Sequence, residues 1–80
     1  MKAIITHIDK AKGYILSEYN IYLDREPGLF LRFSREFGRC VSKVYVGDSK
    51  PVGWVFEKAS GPNYFRSYVV ETWVTLVPGE

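Results

Sequence analysis

The sequence predicts an all-β domain: six to seven short antiparallel strands in a meander, closed as a barrel or a sandwich. Three observations point there. Turn-forming clusters of Gly, Pro, Asp, Asn and Ser interrupt the chain at short intervals. The segments between them are rich in Val, Ile, Tyr, Phe and Trp. The last 40 residues also admit a strand pairing in which three consecutive strands agree on one apolar face. Residues 1–80 are read as one domain, since 80 residues leave no room for a second core.

The elements follow in order. Ala3–Ile8 is the first strand, ended by Asp9-Lys10-Ala11-Lys12-Gly13. Tyr14–Leu16 and Tyr19–Leu23 come next, followed by the turn Asp24–Gly28. Residues 29–37 fit two descriptions. As a strand, Leu29, Leu31 and Phe33 point inward. As a short helix, Phe30, Phe33 and Phe37 share a face, with Asp24 as N-cap and Gly38 at the C-terminal end. Gly28 and the polar-side position of Leu31 count against the helix, and the strand is preferred. Cys40–Val46, Val52–Lys58 and Tyr64–Val77 complete the set, joined by turns at 47–51 and 59–63.

In the C-terminal meander, Trp54 is expected opposite Val70 and Phe56 opposite Tyr68, with Val44 opposite Trp54 and Val46 opposite Val52. Val44, Val46, Val52, Trp54, Phe56, Tyr68, Val70, Val74 and Leu76 then line one buried face. The reverse face carries Lys43, Tyr45, Gly53, Val55, Glu57, Ser67, Val69, Glu71 and Trp73. A glycine within a strand marks a ring or a second backbone lying close over it, so Gly53 draws attention to this face.

Composition narrows the function. The net charge is +2, and it is uneven: residues 32–43 hold Arg32, Arg35, Arg39 and Lys43 with only Glu36 among them. Thirteen aromatic rings (six Tyr, five Phe, two Trp) are more than a core of this size needs. Some are therefore expected at a binding surface or a homodimer interface. Cys40 is the only cysteine, so no disulfide forms within the chain, and a cytoplasmic protein is expected. No apolar stretch is long enough to span a membrane.

Catalytic chemistry finds no foothold. His7 is the single histidine, with Asp9 two residues on as a carboxylate to orient it, but no nucleophile stands beside it in the sequence. Cys40 follows Arg39, yet reads as a structural thiol. Gly47–Pro51 lacks the spacing and following helix of a phosphate loop. The carboxylates are scattered singly. The expectation is a non-enzyme with no cofactor or metal. It is a binding module that recognises a protein and acts as an inhibitor or regulator of a larger machine. The candidate contact residues are Tyr45, Gly53, Trp73, Arg32, Arg35, Arg39 and Lys43. The alternative is a small barrel binding single-stranded nucleic acid, with Phe30, Phe33 and Phe37 stacking on bases while Arg32, Arg35 and Arg39 follow phosphates.

Overall fold

In-and-out alternation sets up the first strand, β1 (Lys2–Asp9), where Ala3 and Ile5 are wholly buried and their neighbours are not. The computed structural model describes residues 1–24, 28–47, 50–59 and 68–77. Over these, β1 is followed by β2 (Ile15–Tyr22), α1 (Leu29–Phe37), β3 (Arg39–Val44), β4 (Gly53–Ala59) and β5 (Val69–Val77). The five strands form one antiparallel sheet in the order β2-β1-β5-β4-β3, with β5 at its centre. The β-rich class holds. The expected barrel or sandwich of six to seven strands does not: the sheet is open, and the second layer is the helix.

The preference for a strand over residues 29–37 is corrected by burial. Leu29, Phe33 and Phe37 recur at helical spacing and are all buried, whereas Leu31 is 62% exposed. Gly28 is the N-cap, with φ +80°, so it precedes the helix rather than interrupting it, and Asp24 plays no capping part. Gly38 ends the helix, its N–H donating to the Ser34 carbonyl at 3.0 Å. A side chain at Gly38 would collide with the Glu57 carbonyl, so glycine lets the chain turn directly onto β4.

The core lies between α1 and one face of the sheet. Phe33 meets Phe37, Trp54 and Phe56 with ring centroids 5.9, 6.2 and 6.5 Å apart, over a floor of Ala3, Ile5 and Val74. Phe30, at the side of the stripe, leans edge-on against Trp54 at 5.9 Å.

Register decides which residues share a face. β4 and β5 pair Trp54 with Val74 and Phe56 with Thr72, a slide of four residues from the expected Trp54–Val70 and Phe56–Tyr68 pairs. An even slide leaves every side chain on its face, so Trp54, Phe56, Val70, Val74 and Leu76 remain together on the helix side. β3 differs. A bulge between Cys40 and Ser42 sets Lys43 opposite Trp54 and Val44 opposite Gly53, reversing the expected faces of both. Val46 and Tyr68 fall outside the strands and are exposed. The two predicted segments Tyr14–Leu16 and Tyr19–Leu23 merge into β2, with an irregularity at Leu16. The turn at 59–63 and the strand start at 64–67 lie outside the described residues, apart from Ala59.

Candidate functional site

The helix covers one face of the sheet. Among the described residues, no element covers the other. The ladders arrange this open face in rows across the strands. One row runs Glu18, Thr6, Trp73, Val55, Ser42; the next runs Asn20, Ile4, Thr75, Gly53, Val44; a third runs Ile8, Glu71, Glu57, Arg39. Trp73 sits on the central strand and is 39% exposed, while Val55 beside it is buried. The indole N–H donates to Glu71 Oε1 at 2.6 Å, which satisfies its polar edge. Thr6 Oγ1 donates to Glu18 Oε2 at 3.0 Å, in the same row.

Gly53 is where two backbones come close. A methyl group there would fall on the Val74 carbonyl oxygen, so only glycine fits between β3 and β5 at this row. The flanking residues are Val44 and Thr75, in place of the expected Tyr45 and Glu71.

The carboxylates are not all isolated. Glu57 and Glu71 stand directly opposite each other on β4 and β5. Each is engaged, Glu57 by an ion pair with Lys10 and Glu71 by the Trp73 indole. Among the described residues, no group of three or more His, Cys, Asp or Glu side chains is placed to hold a metal ion.

The seven candidate contact residues divide among several surfaces. Gly53, Trp73 and Arg39 belong to the open face, Arg39 opposite Glu57. Lys43 lies opposite Trp54, on the helix side of the sheet edge. Arg32 and Arg35 are exposed on α1. Tyr45, 53% exposed, follows the end of β3. The run of arginines that looks like one patch in the sequence is thus divided between the helix and the far side of the sheet.

A constellation that sequence reading missed lies at the C-terminal end of α1. His7 Nδ1 is 2.8 Å from Thr72 Oγ1, and Nε2 is 3.2 Å from Tyr19 Oη. The imidazole also meets the Phe37 ring edge-on at 5.3 Å. Burial lowers the His7 pKa, while Glu36 opposes that shift; burial and Glu36 both raise the pKa of Tyr19. His7 and Thr72 help line a concavity of about 250 Å³, with Glu36, Phe37 and Lys58 at its walls. Asp9 does not orient His7. Its Oδ1 accepts the Lys12 N–H at 3.0 Å and shapes the β1–β2 turn. Cys40 is half-buried against the core, its thiol 3.4 Å from the Ser42 carbonyl.

Comparison with protein-family models, with curated proteins and with solved structures finds no match for this chain. None of the described helices is long and apolar enough to cross a membrane.

Proposed function

We propose that the protein is a small non-catalytic binding module that recognises another protein through the open face of its sheet. The observation that carries this reading is Trp73, a large ring 39% exposed on the central strand with its N–H already satisfied. Tryptophan is among the residues that contribute most at protein interfaces, above all where apolar neighbours surround it. Ile4, Ile8, Thr6 and Val55 supply that surround, and Glu57, Glu71, Lys10 and Arg39 supply a polar rim of both signs. A module of this kind works by occupying or bridging a surface of a larger assembly, as an inhibitor or regulator does. The unpaired thiol of Cys40 fits a reducing, cytoplasmic setting.

The nucleic-acid alternative is the weaker reading. Phe33 and Phe37, two of the rings read as base platforms, are buried, and Phe30 leans on Trp54 and Phe56. Phe30 is 41% exposed, so Arg32 and Arg35 share the helix surface with one accessible ring rather than an interleaved series.

The test compares two variants for capture of the protein partner that the native chain retains from its host. Trp73→Ala should weaken that binding more than about tenfold with an unchanged circular dichroism spectrum. Arg32→Ala with Arg35→Ala should leave it intact. The opposite pattern, or salt-sensitive binding of an oligonucleotide lost with the two arginines, would sink the reading in favour of the helix surface.

A further inference from the structure

The two edges of the sheet are built differently. β3 carries Arg39 and Lys43 and a bulge, features that discourage a further strand from adding. β2 has one charged residue, Glu18, and leaves Ile15 60%, Tyr19 39% and Tyr22 75% exposed. Its backbone polarity is also defined. The Leu23 N–H donates to the Met1 carbonyl at 2.8 Å, and the Met1 ammonium donates to the Leu23 carbonyl at 3.2 Å. Alternation along the antiparallel ladder then directs the N–H and C=O groups of Tyr19 and Ile21 toward β1. Those of Glu18, Asn20 and Tyr22 point outward, to an edge that no strand among the described residues pairs.

We infer that β2 pairs antiparallel with β2 of a second copy of this chain, about a two-fold axis at Asn20, joining two sheets into one. A continuous two-fold sheet keeps its faces only if one residue lies opposite itself at the axis. With Glu18 there, two carboxylates would oppose each other. With Tyr19 there, Tyr22 would meet Leu16 at the irregular end of the strand. With Asn20 there, all three outward-facing residues are used: Asn20 meets Asn20, and Glu18 meets Tyr22 on either side. That gives about six backbone hydrogen bonds, two for each of three pairs. Tyr19 then lies opposite Ile21, an aromatic and β-branched pair that stabilises sheets. The strand is thus complementary to its own reverse, and its one charge never meets a like charge. This pairing leaves Trp73 free and sets two open faces side by side, so it stands apart from the reading of that face.

The test uses sedimentation velocity across a concentration series. The native chain should move from monomer to dimer as concentration rises. Asn20→Lys and Asn20→Glu should each be folded by circular dichroism and monomeric, since each sets like charges together at the axis. An equimolar mixture of the two should recover a dimer, which only a self-opposed position allows. Tyr22→Glu, facing Glu18 of the second copy, should also lose the dimer; Trp73→Ala should keep it. A native chain that stays monomeric throughout overturns the inference. So does an Asn20→Lys variant that still dimerises, or a mixture that does not.

Discussion

His7 holds its place through two hydroxyls. A neutral imidazole donates at one nitrogen and accepts at the other, and Thr72 and Tyr19 can answer either role. The protonated ring must donate at both, in a site where burial disfavours its charge. Its pKa in the fold therefore lies below the ordinary 6.5. The unfolded chain takes up the proton first on acidification, so the contribution of His7 to stability is complete above pH 6.5 and falls as the pH drops toward its folded pKa. Thermal melts should show the native chain losing more stability than His7→Gln between neutral and mildly acidic pH. Parallel losses would show that the ring titrates as it does in the unfolded chain. None of this arrangement was legible in the sequence, because Thr72 lies 65 residues from His7 and only the sheet brings them together. Gly53 was legible, since a glycine inside an apolar strand already suggests a close backbone, and the Val74 carbonyl is what approaches it.

At the scale of elements, α1 is the clearest departure from expectation. Leu29, Leu31 and Phe33 alternate like a strand, and local pattern alone favoured that reading. What separates the two is Leu31: a strand would turn it inward with Leu29, Phe33 and Phe37, whereas the helix buries those three against the sheet and leaves Leu31 62% exposed. Phe33→Ala should cost about 3–5 kcal/mol in chemical denaturation, as expected for an aromatic removed from a closed core. Leu31→Ala should stay within about 0.5 kcal/mol of the native chain. Comparable losses at both positions would contradict a helix with Leu31 outward. In β4 and β5 the faces were legible even though the pairing was four residues out, because any even slide preserves parity. The face of β3 was not legible, since a single bulge residue reverses all that follows it. The candidate contact surface shares this mixture: Gly53 and Trp73 do share the open face, whereas the bulge and the helix separate Lys43, Arg32 and Arg35 from it.

For the whole molecule the strand order matters most. The first strand and the last are neighbours at the heart of the sheet, with Lys2 opposite Val77 and Ile5 opposite Val74. The β1–β2 hairpin and the β3–β4 hairpin can each form locally, but joining them requires β5 on one side and a closure across nearly the whole chain on the other. Non-local pairings of this kind are reached slowly. Pulse-labelling hydrogen exchange during refolding should find the β1–β5 amides protected after those of both hairpins; early protection of β1–β5 would refute this order. The same arrangement bears on synthesis. The strand that completes the core is the last of the five described strands to leave the ribosome, so β1 spends that interval with its inner edge bare. The nascent hairpin must stay soluble until its neighbour is made.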